Sequence, residues 1–456
     1  MKIVIGGATS VGRSIVGYLS FGGNNDIVVV DENPQKLDEL AKEYDIQPFT
    51  GSISHPDVQE NVDMKNADML IAVTDSDEVN LIACQVAYTL FNVPQKIARV
   101  DSKYFLNPMW NTLYNEKSLP VDLLITPDVE IGEYILRLIT LAGSTAVCPF
   151  ENNQINLFSF INKINDSPFA QFSVEQINNK LAEMEAKIVM IIRGNNRIID
   201  NFSEIFLQKN DAIYMLCPSE KNLEIMHVFG VDHNPYENVV IFGANAISHY
   251  IASNLEKDDN LVDCNIIDDN IKQAEKLADS LNNSTIITGE MMSDVILDES
   301  GFNTADISIS VTDKDKDNLL ISLLASKNKN TQALSLVNSK DYNVLARNIR
   351  NNTVIDRSVV TISAILRHLR KARIEEAYAL GLEMGEIWEI RLGEDSKNVG
   401  KTVKELSFPQ TSSVFAVINK NALITNLSDY KFSAEDKLLI YAAVSDIRRI
   451  ENIFYK

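Results

Sequence analysis

The sequence predicts an α/β protein with two Rossmann-like, doubly wound parallel sheets, each followed by a small α+β module. Three observations carry that expectation. Short β-rich runs alternate with amphipathic helical runs, which implies parallel βαβ units. A glycine-bearing turn follows the first strand of each half. The whole pattern then returns roughly 238 positions later, the kind of internal repeat that fixes architecture before local detail does.

The first half opens with the strand Ile3-Val4-Ile5, the turn Gly6-Gly7-Ala8-Thr9-Ser10-Val11-Gly12 and a helical run from Arg13 to Ser20. Strands follow at Asp26 to Asp31, Ile46 to Thr50, Met69 to Thr74, Lys96 to Val100 and Leu123 to Thr126. Helical runs lie between them at Pro34 to Tyr44 and Leu81 to Phe91, and Val129 to Leu141 leads out. After the turn signal Asn234-Pro235 the order repeats, with Val239 to Gly243, Asn265 to Asp268 and Ile307 to Thr312 in matching places. Ala67-Asp68 returns as Ala305-Asp306, Thr74-Asp75 as Thr312-Asp313 and Asn80 as Asn318, each 238 positions on. The modules between repeat as well. Ile188 to Ile192 with the turn Arg193-Gly194-Asn195 matches Val414 to Ile418 with Asn419-Lys420-Asn421, and Asp211 matches Asp436. The expected domains are therefore 1–126 (first Rossmann half), 127–143 (connecting helix), 144–230 (first module), 236–356 (second Rossmann half), 357–371 (connecting helix) and 372–456 (second module).

Composition narrows the function. The chain has 456 residues, too many for one ordinary core, with 45% hydrophobic and 23% charged residues. Its formal net charge of −21 argues against a nucleic-acid or anionic-lipid surface, both of which require basic faces. The four cysteines, Cys84, Cys148, Cys217 and Cys264, are scattered and suggest reduced thiols in a cytoplasmic setting. No apolar run approaches the about 20 residues that span a bilayer, and no export signal precedes Ile3, so membrane association is expected through a protein partner.

The run Asn66-Ala67-Asp68-Met69-Leu70-Ile71-Ala72-Val73-Thr74, with Ser76-Asp77-Glu78, Asn80, Cys84-Gln85-Val86-Ala87 and Phe91-Asn92, resembles the TrkA family, as do Gly51 and Ser54-His55-Pro56 before it. Weaker echoes are Ile362-Ser363-Ala364-Ile365-Leu366, His368 and Arg370-Lys371-Ala372, and in the last module Gly400, Val403, Glu405-Leu406 and Pro409. The resemblance covers essentially the whole chain. It implies a cytoplasmic regulatory subunit of a potassium uptake system, built from two tandem RCK units and peripheral on the inner face of the plasma membrane. It further implies NAD(H) and ATP or ADP as ligands and an integral-membrane, TrkH/TrkG-like potassium transporter subunit as partner. Four chains would build a homotetrameric ring of eight RCK units.

The candidate ligand site of the first half is the turn Gly7, Ala8, Thr9, Ser10, Val11 and Gly12 with Asp31, Val73, Thr74 and Arg99. In a dinucleotide fingerprint the second glycine lets the pyrophosphate approach the backbone. Thr9 stands there, and its methyl and hydroxyl are expected to crowd a phosphate. Asp31 ends the second strand, where an acid accepts ribose hydroxyls. Glu32 and Asn33 follow it without an arginine, which favours NAD or an adenine nucleotide over NADP. Val73 and Thr74 lie on the carboxyl edge of the sheet, and Arg99 could reach phosphate. A weaker second site comprises Gly243, Ala244, Asn245, Ala246, Ile247 and Asp268, with Asn245 and Ser248 in place of fingerprint glycines.

Catalysis is not expected. His55, His227, His233, His249 and His368 form no metal-ligand pair, and neither a GxSxG elbow nor a GxxxxGK[ST] loop occurs. Two alternatives stay open on sequence: a nicotinamide-dependent dehydrogenase, and a ligand-free scaffold that docks on the transporter.

Overall fold

The computed structural model describes residues 1–456 except 22–24, 103, 104, 106, 107, 116, 117, 164–168, 170, 195, 232–234, 258–261, 329, 370–372, 382, 383, 455 and 456. Asn195, His233, Asn234 and the string Arg370-Lys371-Ala372 lie outside the described residues. The chain forms two compact units. One holds Met1–Ile131, Arg357–Leu369 and Ala379–Gly385, the other Gly132–Asp356, Arg370–Tyr378 and Glu386–Lys456.

The first half runs β1 (Lys2–Gly6), α1 (Ser10–Phe21), β2 (Asp26–Asp31), α2 (Pro34–Glu43), β3 (Gln47–Thr50), α3 (Pro56–Asn61), β4 (Met69–Ala72), α4 (Asp77–Phe91), β5 (Gln95–Arg99), β6 (Leu123–Ile125) and α5 (Pro127–Thr140). Its six strands are parallel in the order β3-β2-β1-β4-β5-β6. Ile3, Val4 and Ile5 are successive residues with at most 1% exposure, so both faces of β1 are covered. A continuous apolar strand is what a doubly wound sheet demands.

Two helices begin earlier than apolar periodicity suggests, and capping explains both. Thr9 Oγ1 accepts the Gly12 N–H at 3.2 Å, which starts α1 at Ser10 rather than Arg13. Ser76 Oγ accepts the Val79 N–H, which starts α4 at Asp77 rather than Leu81. Asp77 and Glu78 in that first turn suit the positive end of the helix dipole.

The first module contains β7 (Ala146–Phe150), β8 (Ile155–Ile161), α6 (Val174–Leu181), β9 (Lys187–Arg193), β10 (Asn196–Ile198), β11 (Ala212–Pro218) and α7 (Asn222–Val228). The second half repeats the first: β12 (Asn238–Phe242), α8 (Ala246–Leu255), β13 (Asp263–Asp268), α9 (Ile271–Ala278), β14 (Thr285–Thr288), α10 (Asp294–Glu299), β15 (Ile307–Ser310), α11 (Asp315–Ala325), β16 (Gln332–Val337), α12 (Lys340–Ala346), β17 (Asn352–Asp356) and α13 (Arg357–Leu369). Its sheet order, β14-β13-β12-β15-β16-β17, reproduces the first. The chain ends with β18 (Ile374–Gly381), β19 (Gly385–Arg391), β20 (Ser413–Asn419), β21 (Ala422–Ile424), β22 (Lys437–Ala442) and α14 (Ile447–Phe454).

The module sheets run β10-β9-β11-β8-β7 and, in the matching sense, β21-β20-β22-β19-β18. Their register breaks in the same place. Tyr214 faces Met190 but Met215 faces Ile188, which leaves Val189 as an extra residue. Ile440 faces Val414 but Leu439 faces Ala416, which leaves Phe415 extra. A bulge at equivalent positions of both modules is structural support for their repetition.

Charge is buried within the second unit. Lys437 Nζ lies 2.7 Å from Glu151 Oε2, 2.7 Å from Glu375 Oε2 and 3.1 Å from Glu389 Oε1. Burial pushes the Glu389 carboxyl up, against the pull of the Glu151 N–H and Lys437. Lys187, by contrast, has two carbonyls as acceptors: its Nζ donates to Phe415 O at 3.1 Å and Thr425 O at 2.9 Å. Burial pushes its ammonium down to about 8.

Candidate functional site

The first sheet reverses its strand order between β1 and β4, and the crevice beyond their carboxyl ends is where an open α/β sheet holds a ligand. The glycine turn closes one side of that crevice. Gly7 has φ of +111°, and a Cβ there would stand 2.8 Å from the Val73 carbonyl carbon and the Thr74 nitrogen. A Cβ on Gly12 would stand 1.9 Å from Gly7 O. Both glycines are therefore required by close backbone packing between the turn, α1 and β4.

Thr9 does not obstruct the crevice in the way its position suggests. Its side chain is buried, and Oγ1 donates to Val73 O at 2.8 Å while accepting from Gly12 N. The hydroxyl is spent on tying the turn to β4. First-turn N–H groups of a helix have no intrahelical acceptor. With that of Gly12 taken by Thr9, those of Ser10 and Val11 are left to meet an anion at the positive end of α1.

Asp31 is placed by the same turn. Its Oδ2 accepts the Ala8 N–H at 2.7 Å and its Oδ1 the Asn33 N–H at 2.8 Å. The residue remains partly exposed, and each carboxylate oxygen has a second lone pair for a ribose hydroxyl. On the far side, Val73 N donates to Gly6 O at 2.7 Å, and Thr74 is clasped by Asn80. Arg99 ends β5 with its guanidinium on Asp101, Nη2 to Oδ2 at 2.6 Å and Nε to Oδ1 at 3.1 Å. Asp75 lies 3.4 Å from Nη1. Burial acts to lower the Arg99 pKa, but Asp101, Asp75 and Asp128 hold it above its ordinary value. The cation is thus already neutralised and would have to change partners to bind phosphate.

The second half copies this framework and closes it. Asp268 Oδ2 accepts from Ala244 N at 2.6 Å and Oδ1 from Asn270 N at 2.7 Å. Asn245 Nδ2 donates to Val311 O at 2.6 Å, as Thr9 does to Val73. Asn245 Oδ1 also takes the N–H groups of Ile247 and Ser248, at 3.0 and 3.2 Å, and Ser248 Oγ takes that of Asn245 at 2.9 Å. Of the two helix donors that Ser10 and Val11 keep available, the one matching Val11, the Ile247 N–H, is consumed here. Asp268 is only 5% exposed and Ser248 fully buried.

Asn80 is the residue that the sequence reading missed as part of the site. Fully buried, it accepts from Thr74 N and Oγ1 and donates to Thr74 O and Arg99 O, which fastens the ends of β4 and β5. Asp77 adds a second fastening by accepting from Asp101 N and Ser102 N. The repetition of Asn80 as Asn318 and of Asp77 as Asp315 was the available signal. A cavity of about 420 Å³ lies elsewhere, at the amino edge beside Tyr88, Lys96 and Asp122. There Lys96 is occupied by Val93 O, Pro94 O and Asp122.

The TrkA-N domain family model matches residues 3–119 and again 239–357, and the TrkA-C domain model matches 387–455. The chain belongs to the TrkA family. Among TrkA relatives, the Trk system potassium uptake protein TrkA of Azorhizobium caulinodans is 30% identical over 454 residues, covering 100% of this chain and 98% of its own. The TrkA of Vibrio alginolyticus is 28% identical, covering 99% and 98%. The solved GsuK channel bound to NAD superposes with a TM-score of 0.62 at 16% identity, over 100% of this chain and 78% of that one. At that identity the likeness speaks for the fold alone. Among the described residues no helix is long and apolar enough to cross a membrane.

Proposed function

We propose that this chain is the regulatory subunit of a potassium uptake system, and that its first Rossmann half binds NAD(H) or an adenine nucleotide to gate a membrane potassium transporter subunit. The observation that carries the ligand half of this reading is the contrast between the two turns. The first offers a partly exposed Asp31 and the N–H groups of Ser10 and Val11. The second buries Asp268 and caps its helix with Asn245 and Ser248. Ligand occupancy is accordingly assigned to the first half, with the second half structural. Family membership supports the potassium-uptake half.

Gating follows if the nucleotide binds one conformation of an assembled ring more tightly than another, since a ligand shifts an equilibrium only by its differential affinity. Four chains would supply the eight RCK units. Each half leaves apolar side chains uncovered on equivalent helices, Ile82 and Leu90 on α4, Leu320 and Leu323 on α11, which supports assembly through those faces. Calorimetric titration with NADH, NAD, ATP and ADP, paired with potassium uptake in cells carrying Asp31→Ala, tests the reading. Saturable binding lost in the variant, together with altered uptake, is expected. Absence of binding by any of the four at sub-millimolar concentration overturns it.

A further inference from the structure

Two guanidinium groups lie near Asp128 beyond the carboxyl ends of β5 and β6, and one of them comes from the other half of the chain. Helix α13, the exit helix after β17, packs on α1 within the first compact unit. Ser358 Oγ and Ser14 Oγ share a hydrogen bond of 2.8 Å, and Ser14 Oγ also donates to Ser10 O at 2.8 Å. The first turn of α13 is thereby fixed beside the second turn of α1, one turn on from Ser10. Arg357, one residue before Ser358, places Nη1 2.8 Å from Oδ1 of Asp128, which opens α5 just beyond the carboxyl end of β6. The start of α13 thus joins α1, through Ser358, to the segment after β6, through Arg357, at the carboxyl edge on which Arg99 also ends its strand.

Its electrostatic setting points the same way. The Arg357 side chain is 14% exposed and Asp128 36%, so solvent reaches the pair and it is not sealed in a core. Asp128 also acts on Arg99. One carboxylate therefore serves two guanidinium groups, Arg357 and Arg99, at the carboxyl edge of the sheet. A nucleotide with its ribose on Asp31 would direct its first phosphate to the N–H groups of Ser10 and Val11. Any further phosphate would then continue across the switch point towards β5 and β6. Phosphate presents more charge and more acceptor oxygens than a half-exposed carboxylate, and guanidinium binds it in bidentate fashion.

Resting on the nucleotide reading above, we propose that Arg357 is a phosphate-binding residue of the first-half site, supplied by the second half's exit helix within the same chain, and that ligand phosphate displaces Asp128 from it. The site then senses phosphate number. Adenosine engages Asp31 alone and AMP engages Asp31 and α1, whereas ADP, ATP and the pyrophosphate of NAD(H) also grip α13.

The full chain, wild type and variants, would be titrated with AMP, ADP, ATP and NADH. Arg357→Gln is expected to weaken ATP and ADP by about 10- to 100-fold, the range for one charge-assisted contact, while AMP changes less than about twofold. Arg357→Lys should recover part of the loss. Asp128→Asn removes the competing carboxylate and should tighten ATP several-fold, a readout that stands even if Arg357→Gln folds poorly. If wild type binds ATP and Arg357→Gln binds it equally well, or if Asp128→Asn binds it no better than wild type, this inference falls while the nucleotide reading stands. If wild type binds none of the four, both fall.

Discussion

The carboxamide of Asn80 closes a ring around Thr74: its Oδ1 accepts both the Thr74 N–H at 2.9 Å and the Thr74 hydroxyl at 2.7 Å, while its Nδ2 donates to Thr74 O at 3.1 Å. Asn318 does the same to Thr312, at 3.0, 2.7 and 2.9 Å. Both asparagines are fully buried. Asn80→Ala would leave the Thr74 N–H and the Arg99 carbonyl without this partner, a loss of about 2–4 kcal/mol in the first half. Hydrogen exchange should report it as faster exchange across β4 and β5, with β15 and β16 unaffected.

That clasp also marks how far the sequence could be read. The duplication was legible because Asn80, Thr74 and Ala67-Asp68 recur at one spacing, and the strands because their apolar runs are continuous. The first turn of α4 was not legible from periodicity, since Asp77, Glu78 and Asn80 are polar, although Ser76 followed by acids is a readable cap. Thr9 illustrates a different limit. Residue type suggests an obstruction, but the rotamer that bonds Val73 O decides the matter, and that is set by tertiary packing. The bond from Arg357 to Asp128 joins positions 229 apart. Local pattern carries no information about such a pair. Nor does it foretell that Glu151, Glu375 and Glu389 converge on Lys437.

That convergence is a strong test of the second unit's packing. Removing one partner of a buried ionic cluster costs about 3–5 kcal/mol, because the remaining charges stay desolvated. Lys437→Met should cost that much at pH 7, measured by denaturant titration. Glu375 is held at about 2: burial raises it, but Arg391 and Lys437 outweigh burial. A depressed carboxylate contributes stability above its unfolded pKa and loses it as pH falls through the folded one. The gap between wild type and variant should therefore narrow from about pH 4.5 to pH 2.

Lys187 predicts a pH effect of the opposite kind. Burial lowers its ammonium to about 8 in the folded chain, from an ordinary 10.5. Between those values the unfolded chain binds more protons than the folded one, so this residue's contribution to stability rises with pH across that window. The change is at most about 3 kcal/mol. Melting temperatures of wild type relative to Lys187→Met, taken from pH 7 to 10.5, should climb through the window, and a flat difference would refute the assignment.

Two turns built on the same framework of an acid and a strand-end carbonyl are assigned different access to a nucleotide. Asp31 and Asp268 each anchor two backbone N–H groups, so Asp31→Ala and Asp268→Ala should each destabilise their own half by about 1–3 kcal/mol. Their effects on binding should diverge. The decisive measurement is calorimetric titration of wild type and both variants with ATP and NADH. The account predicts that Asp31→Ala weakens binding by about tenfold or more while Asp268→Ala leaves affinity and stoichiometry unchanged. Loss of binding in Asp268→Ala with Asp31→Ala unaffected, or no effect of either, would contradict it.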